Sequence, residues 1–112
     1  MTPQEAMATV PKTIKIGPHT YSITIVDVVS DGSDSRAFVD NQAQAIEIAR
    51  SNASSSAAVG SLIHELLHAI WDDRNLGKRP DEERVVLAFE SGLVQLFQHS
   101  PKLLTWIKRG LR

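Results

Sequence analysis

The chain has no cysteine among its 112 residues, which removes disulfide frameworks, thiolate zinc sites, cysteine nucleophiles and iron–sulfur clusters in one step. Any metal must be held by histidine, aspartate or glutamate. An excess of either charge is also lacking. Twelve basic and 13 acidic side chains leave a formal net charge of -1, so no global field draws the protein to nucleic acid or anionic lipid. No apolar run approaches the ~18 residues of a membrane span, and the opening MTPQEAMATVPKTIKIG has no basic segment followed by an apolar one. With the absence of disulfides, this leads to the expectation of a cytoplasmic protein with no membrane and no nucleic-acid partner. Internal repeats are absent, and the serine cluster at residues 51–56 reads as a loop and helix cap.

What is present describes one ordinary globular domain spanning residues 1–112: 42% of residues are hydrophobic and 22% charged, and the length is too short for two independent cores. Prolines and glycines gather at boundaries and divide the chain near Ala49. Residues 1–11 read as an N-terminal tail and residues 12–49 as a β-rich part. There, Ile14 and Ile16 alternate with Thr13 and Lys15, and after a Gly17-Pro18-His19 turn Tyr21, Ile23 and Ile25 alternate with Thr20, Ser22 and Thr24. A period of two is the signature of a strand with one buried face, so the segment predicts a β-hairpin. Ser30 to Arg36 has turn composition, and Ala37–Val39 and Ala45–Ala49 flank Asp40-Asn41-Gln42 as a second hairpin. The expected fold class is α+β, a small antiparallel sheet packed on a two-helix unit with a short C-terminal helix.

Residues 55–112 form the helical part. The Ser/Asn-rich start predicts a helix from about Ser55 to Arg74. Spaced at 100° per residue, Val59, Ile63, Leu66, Leu67 and Ile70 make its core face. Asp81 suits the N-cap of a second helix running toward His99, with Glu82 and Glu83 favoured by the dipole in its first turn. Its core face is Val86, Phe89, Leu93, Leu96 and Phe97. Ser100-Pro101 opens a short third helix, ended and solubilised by Lys102, Lys108, Arg109 and Arg112. Trp71 and Trp106 are expected to join the core.

His64-Glu65-Leu66-Leu67-His68 is an H-E-x-x-H inside the first of these helices. Residues i and i+4 stand one above the other on a helix, so both imidazoles can reach one zinc ion. Glu65 points about 100° around from His64, away from ligation and toward a metal-bound water, the place of a general base. Catalytic zinc generally takes three protein ligands, so one more is needed. Candidates are Glu82, Glu83 and Glu90 on the second helix, with Asp72 and Asp73 as local competitors. Glu83 and Glu90 project to the shoulder of that helix, as the histidines do on theirs, which favours either over Glu82. Tyr21, His19 and His99 are the neutral donors that could steady a transition state, although a structural role suits each better.

These elements resemble small phage- and prophage-encoded zinc peptidases, themselves similar to the metallopeptidase domain of the ImmA/IrrE family and, more distantly, to gluzincins. The resemblance rests on Ala45-Ile46-Glu47-Ile48, on Ser61 to Trp71 (SLIHELLHAIW), and on the helix pattern of Glu83, Val86, Phe89 and Leu93. It implies His64, His68 and Glu83 as zinc ligands, Glu65 as base, and hydrolysis of a peptide or protein substrate. A second class fits the same residues, a zinc-stabilised binding or regulatory module of phage origin that performs no catalysis. The strand at Ile46 and Ile48, immediately before the zinc helix, is expected to offer an edge on which an extended peptide could pair.

Overall fold

The computed structural model describes residues 1–111; Arg112, named above among the terminal basic residues, lies outside the described residues. Both expected hairpins form. Strands β1 (Thr13–Ile16) and β2 (His19–Val26) pair antiparallel, with Ile14 opposite Tyr21. Gly17 in their turn takes φ 56°, the left-handed region that favours glycine. Strands β3 (Ala37–Asp40) and β4 (Ala45–Ala49) form the second hairpin.

The hairpins do not join as an antiparallel sheet. Strand order is β1-β2-β4-β3, and β2 runs parallel to β4, so the sheet is mixed. The reason lies in β4, whose Ile46, Ile48 and Ala49 are all buried; so apolar a strand gains most between two neighbours, leaving the half-buried β3 at the edge. Residues 27–36 carry the chain past β4 to reach that edge. They are pinned on the way by buried Val29 and by the Ser30 backbone N–H, which donates to Glu47 Oε1 at 2.7 Å. The expectation that the Ile46–Ile48 strand is an open edge is thereby corrected, because it is paired on both sides. The free edge belongs to β1 and to β3.

The rows Ile23–Ile46–Val39 and Ile25–Ile48–Ala37 cross the sheet on one face, while Thr20, Ser22 and Thr24 point to solvent. Helix α2 (Ser55–Asp73) lies on the apolar face. Ser54 caps it, its Oγ accepting from the Ala57 N–H at 3.0 Å. Asn75, with φ 56°, ends it: the Asn75 N–H bonds to Asp72 O and the Leu76 N–H to Trp71 O, a Schellman arrangement in which asparagine replaces glycine. The face that packs on the sheet is Ala58, Leu62, Leu66 and Ala69. Val59 and Ile70, expected in the core, are 48% and 44% exposed. Small residues let a helix sit close to a sheet, so the buried stripe is rotated by about 100° from the stripe of largest side chains.

The expected N-terminal tail contains a helix, α1 (Pro3–Ala8), which packs against α2 and buries Met7 in the core. Thr2 caps it, with Oγ1 accepting from the Glu5 N–H at 3.0 Å, and Pro3 occupies the first position, where a missing N–H costs nothing. Helix α3 (Glu82–His99) packs on α2, and α4 (Pro101–Gly110) follows at its end. Asp81 stands at the N-cap of α3, but its carboxylate faces Arg79 Nε at 3.3 Å and makes no cap bond. The expected core face of α3 is corrected too: Val86 is buried, while Phe89 and Leu96 are exposed. Trp106 is 72% exposed and outside the core; Trp71 is half-buried and donates Nε1–H to Gly77 O at 2.7 Å. Among the described residues, no helix is long and apolar enough to cross a membrane.

Candidate metal centre

The joint that places α2 is a buried asparagine. Asn52 donates Nδ2–H to Ala49 O at 2.7 Å and to Arg36 O at 3.1 Å, and its Oδ1 accepts from Ser61 Oγ at 2.7 Å. One side chain thus ties the end of β4, the approach to β3 and the second turn of α2, and its polar atoms are satisfied where burial would otherwise be costly. His64 and His68, one and two turns further on, then face α3 across a cleft walled by β3.

Three side chains meet there. The inner nitrogens, His64 Nε2 and His68 Nε2, are 3.2 Å apart. Glu83 spans them, with Oε1 2.7 Å from His64 Nε2 and Oε2 2.9 Å from His68 Nε2. These three residues offer ligand atoms within 4.8 Å of one another and could hold a metal ion. Ligands about 2.0–2.1 Å from a tetrahedral zinc are separated from each other by roughly 3.3 Å. The two nitrogens match that spacing, and the carboxylate needs to withdraw by only a few tenths of an ångström. A neutral-nitrogen pair plus one carboxylate is also the donor set that zinc accepts, so the residues fit the ion.

The other glutamates named from sequence lie behind the histidines. Glu82 Oε2 is 2.6 Å from His68 Nδ1, and Glu90 Oε1 is 2.8 Å from His64 Nδ1. Both bind the outward nitrogen. Asp72 and Asp73 give no atom to the cluster. Glu65 is buried, 9% exposed, at the edge of the sheet-facing side of α2. Burial pushes its carboxyl above the ordinary carboxylate range; the charges of Glu83 and Asp31 act in the same direction, and His64 and His68 oppose them.

The cleft encloses about 470 Å³ and is lined by Ala37, Phe38 and Val39 of β3 on one side and by His64, Glu65, His68 and Glu83 on the other. None of the three neutral donors named from sequence lines it. Tyr21 is buried in the sheet, where burial and the charges of Asp72 and Asp73 raise its pKa. His19 Nδ1 lies 3.0 Å from Gln44 Nε2, and His99 is exposed at the end of α3. Tyr21 nonetheless acts on the cleft at one remove. Its O–H donates to Asn41 Oδ1 at 2.9 Å, which leaves the Asn41 amide hydrogens as donors beside His68 and Glu82. Sequence reasoning missed Asn41, which looked like an ordinary turn residue between β3 and β4. Its signal was its place one residue beyond a strand that turned out to wall the site.

Comparisons of the chain with known protein families, with curated proteins and with solved structures find no match.

Proposed function

We propose that the protein is a zinc-dependent peptide-bond hydrolase, similar to the small phage-encoded peptidases, with His64, His68 and Glu83 as ligands and Glu65 as general base. The observation that supports this reading best is the convergence of two imidazole nitrogens and one carboxylate beside a second, buried carboxylate in an open cleft. When bound, zinc supplies Lewis acidity, making water acidic enough to attack near neutral pH and polarising a carbonyl.

The chain's own residues do the rest. Glu65, whose burial raises its proton affinity, accepts a proton from the attacking water and delivers it to the departing amine nitrogen. The free edge of β3 offers backbone N–H and C=O groups to an extended peptide, which sets its direction along the cleft. Asn41, oriented by Tyr21, offers amide hydrogens to the carbonyl oxygen as it gains charge.

Two measurements on the same samples test the reading. Elemental analysis should find about one zinc per chain, and none in His64→Ala or His68→Ala. A library of unstructured peptides, screened with wild type, Glu65→Gln and a chelator control, should show cleavage by wild type alone, with Glu65→Gln reduced by about 10²–10⁴-fold while keeping its zinc. Equal cleavage by Glu65→Gln and wild type contradicts the base assignment. Zinc without cleavage in wild type moves the protein to the non-enzymatic module.

A further inference from the structure

A histidine on a flexible arm has two nitrogens and several rotamers, and a metal site works only if the right nitrogen faces inward. We propose that Glu82 and Glu90 are positioning residues: from α3 they grip the outer nitrogens of His68 and His64 and turn both Nε2 atoms toward Glu83. The inference rests on the zinc reading above and adds a second tier of carboxylates to it.

The geometry comes from two antiparallel helices. His64 and His68 are one turn apart, about 6 Å along α2, whereas Glu82 and Glu90 are separated by about 12 Å along α3. The order is reversed, as antiparallel axes require: the later glutamate takes the earlier histidine. Glu90 reaches His64 Nδ1 at 2.8 Å and Glu82 reaches His68 Nδ1 at 2.6 Å. Spanning the difference calls for long side chains leaning inward from both ends, which glutamate supplies. Between them Glu83, one residue from Glu82, meets the inner nitrogens.

Chemistry then gives the outer bond its direction. A carboxylate oxygen accepts, so each imidazole donates its Nδ1–H outward to its glutamate; the Glu83 carboxylate occupies the Nε2 side in the metal-free chain, and a zinc ion taking that side would leave the Nδ1–H bond in place. Burial separates the two tiers: the side chains of Glu82 and Glu90 are 25% and 27% exposed, that of Glu83 59%. The same placement decides against Glu82 as the third ligand, because its carboxylate is engaged on the far side of the ring.

Gly60 is an independent sign that the grip on His64 is built in. It is buried within α2, one turn before His64, and a Cβ there would stand 3.1 Å from Glu90 Oε2. Glycine is unfavourable inside a helix relative to alanine, yet here the space of the missing methyl group is the notch beside which the Glu90 carboxylate lies. The space that Gly60 leaves beside His64 receives a side chain from α3.

The test uses the full chain and zinc alone. Affinity is read by chelator competition in wild type, Glu82→Ala, Glu90→Ala, Glu82→Gln, Glu90→Gln and Gly60→Ala, alongside the thermal midpoint of each metal-free protein. The alanine variants should bind zinc about 10–100-fold more weakly. The glutamine variants should recover part of that loss, since an amide oxygen still accepts from Nδ1–H. Gly60→Ala should weaken binding in the wild-type background and add little to Glu90→Ala, because both act through one carboxylate. Alanine variants that bind as wild type does would overturn the proposal. So would equal zinc loss in the alanine and glutamine variants that tracks a fall in the thermal midpoint, which marks a general role in docking the helices.

A long-range proton–nitrogen spectrum of the imidazoles in the metal-free chain separates this proposal from the zinc reading. Protonated Nδ1 atoms on His64 and His68, perturbed one at a time by Glu90→Ala and Glu82→Ala, are the expected result. If the wild type takes up no zinc, the zinc reading fails and this spectrum decides the grip alone; Nδ1 atoms without protons in wild type overturn it.

Discussion

Between the sheet and α2, Tyr21, Ile46, Ile48 and Ala69 are almost wholly withdrawn from solvent, whereas α3 buries Val86 and α4 buries no residue. The two regions are held by different forces. Apolar rows running across three strands, with Met7 and the small residues of α2 closing over them, make a core that does not depend on the site. Helix α3 has one buried apolar anchor and three glutamates bonded to two histidines. Its attachment adds the chemistry of the cleft to that anchor and to the half-buried Val85, Leu93, Val94 and Phe97. The contrast teaches that a metal here would act on the second region's position far more than on the first region's existence.

Substitution in the core gives the largest contrast. Ile46→Ala should cost about 2–5 kcal/mol in denaturant unfolding, through lost burial and the cavity left behind. A loss well below 1 kcal/mol would mean that the sheet is not the stable region. Next comes zinc itself: at about 100 times its dissociation constant it should add roughly 2.7 kcal/mol to stability. Hydrogen exchange tells where the effect falls, with removal of the metal expected to speed exchange in α3 before β4. Uniform acceleration in both would dissolve the distinction between the regions.

Glu65 gives a smaller effect with a definite pH dependence. Its folded-state pKa is raised, chiefly by burial. Its contribution to stability is therefore fully present below the unfolded-state pKa and lost as pH rises through the folded value. At neutral pH the buried charge opposes folding. Glu65→Gln should be more stable than wild type in the metal-free state near pH 7, and the gap should narrow on acidification; a gap that widens on acidification would contradict this account. The smallest effect is expected on the exposed side of α3, where Leu96→Ser should change unfolding by no more than about 0.5 kcal/mol. A larger loss would show that this face is covered in solution.

The parts of the fold that could be read from the sequence were those governed by local rules. Alternation located β1 and β2, turn composition located β3 and β4, Ser54 and Asn75 bracket the α2 that the serine run predicted, and Pro101 opens α4 as proline at a first position should. Tertiary choices were not local. The apolar run of β4 favours a place between two neighbours, but whether it takes that place beside β2 also depends on how ten intervening residues settle on Glu47. The buried face of α2 was misread because a stripe of Val59, Ile63 and Ile70 outweighs Ala58 and Ala69 in apolar bulk, while closeness to a sheet selects for small size. Helix α1 was missed although Thr2-Pro3 is a regular helix start, because six residues are too few for a periodic signal. In the site, spacing indicated which residues could gather. Which nitrogen each carboxylate meets depends on the crossing of α2 and α3, and that is a property of the pair.

The free edge of β3 also bears on how copies of the protein meet one another. An unpaired strand is a template for any extended segment, including the same strand of a second copy. Near pH 6.4 the chain's charges balance, and net repulsion no longer keeps copies apart. Two β3 strands paired edge to edge would close both clefts, so self-association and occupancy by a peptide exclude each other. Colloidal stability would then report on the cleft: a peptide that fills it should lower light scattering near that pH, and the shortness of β3, four residues ending at Asp40, would keep such pairing weak and reversible.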